Sequence, residues 1–180
     1  MKKLTNTIIA ISILLLVYYE YIHINPLDIK KILLALIGFI IILIPIIYEK
    51  FKHIEIEKYI KLIYYFFLFV AFILGILFQF YYSTIYFDLF AHGLFGLLVS
   101  IILGTKIKTN SFKDVIKILS IVIFIGFVWE SIEFFSDVFL RTDHQEKISG
   151  AGDTMTDLLI SVLGSGVYII HNKIMNKIKT

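Results

Sequence analysis

The sequence predicts an all-α, polytopic membrane protein: one integral membrane domain over residues 1–180, a bundle of about six transmembrane helices with both termini in the cytoplasm. Three observations predict it. The chain is 59% hydrophobic and only 17% charged, whereas soluble domains carry about 25% charged residues. Its apolar runs reach the ~20 residues that a helix needs to cross a bilayer. Its basic residues collect in alternate interhelical segments, as they do when lysine-rich loops stay on the cytoplasmic side.

The six spans read as residues 4–24, 31–49, 60–82, 87–105, 114–140 and 151–171. The first begins Met1-Lys2-Lys3 and ends in Tyr18-Tyr19-Glu20-Tyr21, with no small-x-small cleavage site, so it reads as a retained helix rather than a signal peptide. Asn25-Pro26-Leu27-Asp28 makes the first turn, and the charged stretch Glu49 to Lys61 separates the second span from the third. Ser83-Thr84 is a very short turn; Thr105 to Lys113 is a basic loop and Arg141 to Gly150 a polar one. With the N-terminus inside, 13 of the 17 basic residues fall on the inner side; the outer loops hold Lys30, Lys31, Arg141 and Lys147. The net charge of +3 therefore reflects topology and does not point to nucleic acid. The chain has no cysteine, which excludes disulfides, thiol catalysis and thiolate metal sites. No internal repeat relates the first three spans to the last three, because nearly all the intramembrane acids lie in the second half.

Those acids are the informative residues. The fourth span carries Asp88 and His92, spaced i, i+4. The fifth carries Glu130 and Glu133, spaced i, i+3, with Asp137 one turn on. The sixth carries Asp153 and Asp157, again i, i+4. Each spacing places its pair on one helix face. At about 1.5 Å per residue, Glu130 lies roughly 20 Å along a helix that enters at Lys117. His92 and Asp157 arrive at a similar depth from the outer side. His92, Glu130 and Asp157 thus form a deeper layer, and Asp88, Glu133 and Asp153 a shallower one, with Asp137 near the interface.

A charged side chain at mid-helix costs about 2.5–3.5 kcal/mol on insertion scales, and these spans hold no lysine or arginine near the acids. Compensation has to come from His92, protons, a bound cation, or Arg141 and Lys147 reaching in from the outer loop. Carboxylates held close repel one another; a divalent metal removes that repulsion, and carboxylate with imidazole is an ordinary ligand set for one. The plainer reading is that rim acids are solvated or form interface ion pairs. Glu20, His23 and Gln79 lie near outer ends and either line the same cavity or supply interface polarity. His53, His144 and His171 read as loop or inner-side residues, and Glu55 and Glu57 as solvated. Tyr64-Tyr65-Phe66-Phe67 reads as a lipid-facing or packing surface, while Gly93, Gly96 and Gly164-Ser165-Gly166 offer small faces for close helix contact. Ser131 and Ser136 sit near the acids, but nothing resembles a nucleophile elbow.

Residues 87–166 also resemble a known family. Phe87-Asp88-Leu89-Phe90-Ala91-His92 followed by Gly96, Trp129-Glu130-Ser131-Ile132-Glu133-Phe134, and Asp153-Thr154-Met155-Thr156-Asp157-Leu158 followed by Gly164 are similar in order and spacing to elements of the YjdF-like group of bacterial inner-membrane proteins, a domain of unknown function. That family's Gly-Thr-Gln-Gly-Asp stretch before the last helix is replaced here by Ile148-Ser149-Gly150-Ala151-Gly152. A fainter similarity runs to VanZ-like proteins, which order Asp…His, Glu and Asp across consecutive helices and are linked to glycopeptide resistance at the cell envelope. The resemblance implies the plasma (inner) membrane of a prokaryote and supplies no reaction.

The functional reading is a polar site near the outer leaflet that binds a cation or a polar envelope ligand, extending to a metal-dependent hydrolase acting on a lipid-linked substrate. Asp88, His92, Glu130, Glu133, Asp153 and Asp157 are the candidate ligands of a divalent metal ion. Glu130 and Glu133 are the candidate general bases toward a metal-bound water. The alternatives are an ion- or proton-coupled carrier, whose acids titrate during transport, and a non-catalytic membrane interaction protein whose acids receive a basic segment. Membrane lipids are the expected surroundings.

Overall fold

The computed structural model describes residues 2–24, 29–82, 85–109, 111–140 and 150–179. These residues form six α-helices and no strand: α1 (Lys2–Ile24), α2 (Ile29–Lys52), α3 (Lys58–Leu68), α4 (Ile85–Gly104), α5 (Phe112–Leu140) and α6 (Gly150–Lys179). Five stretches are long and apolar enough to cross a membrane: Lys2–Ile22, Lys58–Leu77, Tyr86–Gly104, Phe112–Phe135 and Gly150–Ile178. Large apolar side chains such as Leu14, Ile40, Phe124 and Leu163 are exposed on the helices, as expected where hydrocarbon is the solvent. The contacts divide the chain into two compact units, Met1–Thr84 and Ile85–Thr180.

In the first unit α1, α2 and α3 pack around Leu16, Ala35, Ile42, Leu68, Phe72 and Ile73. Pro45 stands inside α2. A proline has no N–H, so the carbonyl four residues earlier, Ile41, loses its helical donor. The Tyr64 hydroxyl donates to that carbonyl at 2.7 Å, and the Tyr65 hydroxyl donates to the Ile42 carbonyl at 3.2 Å. Half of the tyrosine–phenylalanine run is therefore turned inward to satisfy backbone, with Tyr65 buried and Phe66 exposed. Glu49 ties the α2–α3 connection together: its Oε1 accepts from the Ile56 N–H at 2.7 Å and from Lys61 Nζ at 2.8 Å. His53, at φ 51°, turns the chain out of α2.

The third span differs from the sequence reading. Beyond Leu68 the helix continues as a π-helix over Phe69–Leu77, and the chain then turns through Gln79, at φ 61°, into a short 3-10 segment at Phe80–Tyr82. The helix thus ends at Leu77, not at residue 82. Gly75 accommodates the break, since a Cβ there would run into the Tyr81 ring. α6 differs in the other direction: it runs to Lys179, well past residue 171 where the sixth span is read to end.

In the second unit α4 and α6 cross at backbone contact. A Cβ on Gly96 would strike the Ser161 carbonyl, and one on Gly164 would strike the Gly93 carbonyl. Small residues permit this approach, and hydroxyls then bridge it. Ser161 Oγ donates to the His92 carbonyl at 3.2 Å, and Ser165 Oγ lies 3.2 Å from the Gly96 carbonyl and 3.1 Å from that of Ser161. Farther along, Gly104 meets the Tyr168 ring, and Asn172 Nδ2 donates to Thr109 Oγ1 at 3.1 Å and to the Tyr168 hydroxyl at 3.3 Å. Ile118, Val122 and Ile169 form the apolar core at this end. α5 begins with a reciprocal cap: Ser111 Oγ accepts from the Asp114 N–H at 3.2 Å, while Asp114 Oδ2 accepts from the Ser111 N–H and hydroxyl. α5 reaches α6 at Gly126, where a Cβ would stand 2.9 Å from Leu158 Cδ2.

Two substitutions test this packing. Tyr64→Phe leaves the Ile41 carbonyl, already deprived by Pro45, without its donor, and is expected to cost about 1–3 kcal/mol, read as a lower unfolding midpoint in detergent. Gly96→Ala places a methyl against backbone that cannot rotate away, and is expected to cost about 1–3 kcal/mol by overpacking. An unchanged midpoint in either variant contradicts the corresponding contact.

Candidate acidic–histidine site

Three helices of the second unit present the site. α4 brings Asp88 and His92 on one face, α5 brings Trp129, Glu130 and Glu133, and α6 brings Asp153, Thr154 and Asp157. The α4–α6 crossing places them together, because Ser161, one turn after Asp157, is bonded to the carbonyl of His92 itself.

The burial divides the six candidate residues into the two layers that depth along the helices suggests. His92 is 5% exposed, Glu130 3% and Asp157 1%. Asp88, Glu133 and Asp153 are half-buried. His92 Nε2 lies 3.5 Å from Asp88 Oδ1 and 3.5 Å from Glu130 Oε1. Thr154 Oγ1 donates to Glu130 Oε2 at 3.1 Å, which orients that carboxylate from α6. Trp129 Nε1 donates to Glu133 Oε1 at 2.6 Å. The indole also stands edge-on to the His92 ring, with centroids 6.5 Å apart, and against Phe95 at 6.3 Å. These rings form an apolar wall beside the carboxylates.

Among the described residues, two oxygens at the centre have no hydrogen-bond partner: Glu130 Oε1 and Asp157 Oδ1. A buried oxygen without a donor loses its hydration with nothing in return, at a cost of about 1–3 kcal/mol or more for a charged group. Such atoms therefore point to a missing partner. The donor set fits a cation. Ligand atoms of Asp88, His92 and Asp157 lie within 4.8 Å of one another, and so do those of His92, Glu130 and Glu133. Carboxylate oxygens with one imidazole nitrogen suit magnesium, manganese, iron or zinc.

Asp153 belongs to neither group of three, although it is half-buried one turn from Asp157. Glu20 and Gln79 belong to the first unit. The side chains of His23 and Asp137, and residues 141–149 with Arg141, His144 and Lys147, lie outside the described residues. His53, just past α2, and His171, within α6, are exposed, and neither belongs to such a cluster among the described residues. Trp129 and Thr154 are site residues to which sequence reasoning gave no role. The i, i+4 spacing of Trp129 and Glu133 was the available signal for one; the other depends on how α6 packs on α5.

The fold and this cluster define a class: a multi-pass α-helical membrane protein with a buried carboxylate–imidazole site. The chain belongs to a family described as predicted membrane protein (DUF2238), whose model matches residues 6–177. Neither a curated protein nor a solved structure matches it.

Proposed function

We propose that this protein binds a divalent cation within the bundle formed by α4, α5 and α6. The observation that carries the reading is the pair of unpartnered, almost fully buried carboxylate oxygens, Glu130 Oε1 and Asp157 Oδ1, beside His92. Its ligands come from Asp88, His92, Glu130, Glu133 and Asp157, and Asp153 completes the acidic rim. A cation held there would polarise a water or an ester oxygen, and whichever of Glu130 and Glu133 is left outside its ligand set would accept the proton released. The reaction class is metal-assisted hydrolysis of a polar envelope ligand whose lipid tail stays in the bilayer.

The topology belongs to the same proposal. Six spans with both ends in the cytoplasm place the basic segments inside and the acidic site near the outer leaflet. The resemblance of residues 87–166 to YjdF-like proteins, and more faintly to VanZ-like ones, supports a bacterial inner membrane.

The test is the metal content of detergent-purified protein, counted by mass spectrometry after growth with zinc, manganese and magnesium. Wild type is expected to retain metal that a Glu130→Gln/Asp157→Asn double variant of unchanged helicity loses. Metal-free wild type overturns the reading and leaves proton coupling or docking of a basic protein segment. The Thr154 hydroxyl gives a finer check. Thr154→Val keeps the shape of the side chain but releases Glu130 Oε2, and is expected to weaken Mn²⁺ binding about 10–100-fold, as loss of an outer-shell partner does.

A further inference from the structure

We infer that the site takes two divalent cations, one in each group of three ligands, with His92 between them. The inference rests on the cation reading above and goes beyond it in nuclearity. Donors to a single small cation surround it at about 2.0–2.2 Å, so even opposite ligand atoms lie within ~4.4 Å of one another. The site does not have that shape. Ligand atoms of Asp88, His92 and Asp157 come within 4.8 Å of one another, close to that limit, and those of His92, Glu130 and Glu133 do likewise, but no single group unites Asp157 with Glu130 and Glu133 among the described residues. The two groups share His92 and nothing else.

Each group also contains its own unpartnered oxygen. Asp157 Oδ1 belongs to the first and Glu130 Oε1 to the second. A single ion in one group leaves the other oxygen buried without a hydrogen-bond donor among the described residues. His92 stands between the groups, with Nε2 3.5 Å from Asp88 Oδ1 in the first and 3.5 Å from Glu130 Oε1 in the second. One imidazole nitrogen binds one ion, so His92 Nε2 would serve one group, and the carboxylates, with two oxygens each, would hold the ion of the other.

Charge points the same way. Metal ligands bind deprotonated, and Asp88, Glu130, Glu133 and Asp157 then bring four negative charges. No lysine or arginine occurs in residues 62–105, 118–140 or 148–172. One divalent ion balances half of these ligand charges; two ions balance them all.

The experiment is equilibrium dialysis of metal-stripped, detergent-solubilised protein against Mn²⁺ and, in parallel, Zn²⁺, with electron paramagnetic resonance of the manganese form. Wild type is expected to bind two ions per chain and to give the multiline signal of an exchange-coupled manganese pair. Asp157→Asn and Glu130→Gln are each expected to retain one ion, with the uncoupled six-line signal of an isolated Mn²⁺. One ion per chain with an uncoupled signal in wild type overturns the two-ion assignment while leaving the cation reading intact. No binding of either metal overturns both. The wild-type measurement decides the matter even if a variant fails to fold.

Discussion

The second unit depends on one contact: the meeting of the α4 and α6 backbones at Gly96 and Gly164. In a bilayer, apolar surface gains nothing by moving from lipid to protein, so helices associate through close packing and hydrogen bonds. Gly96 and Gly164 remove the side chains that would hold the axes apart. Ser161 and Ser165 then fix the register by bonding to the carbonyls of His92 and Gly96. Because Ser161 is one turn from Asp157, the register of the crossing is also the register of the site. Sliding one helix by a turn would break these bonds and carry Asp157 away from His92.

The same constraint shapes the first unit by different means. Where no water reaches, every freed backbone group needs an internal partner. Pro45 frees the Ile41 carbonyl, and Tyr64 meets it from α3. A hydroxyl on a neighbouring helix is the common answer in both units: serine where the axes nearly touch, tyrosine where a longer reach is needed. Each hydroxyl joins two helices by donating to a backbone carbonyl, so polarity serves as an adhesive here rather than as an exposed surface.

Much of this was legible in the sequence because hydropathy and helical spacing are local properties. The i, i+4 pairs Asp88–His92 and Asp153–Asp157 and the i, i+3 pair Glu130–Glu133 had to share faces once their segments were helical. Counting residues inward from each span's end singled out His92, Glu130 and Asp157, and these are the three of the six that the fold buries almost fully. The π-helix at Phe69–Leu77 left no trace, since Phe, Val, Ile and Leu suit either winding. The end of α6 was misread because hydropathy locates the lipid boundary, not the helix end. Thirty residues of helix span about 45 Å, well beyond a hydrocarbon core of about 30 Å. The tyrosine bonds to α2 and the threonine bond to Glu130 need two helices already docked, so neither could be read from one segment alone.

Trp129 carries a practical consequence. It is the chain's single tryptophan, and it stands edge-on to His92 while its indole N–H is engaged by Glu133. Indole emission shifts with local polarity and is quenched by nearby charge and by paramagnetic ions. All tryptophan fluorescence of this protein therefore originates within one ring's width of the carboxylates. Ion arrival, proton loss or a change in the α4–α5 spacing each alters the same lone emitter, so the native chain carries an optical reporter of its own site without a label.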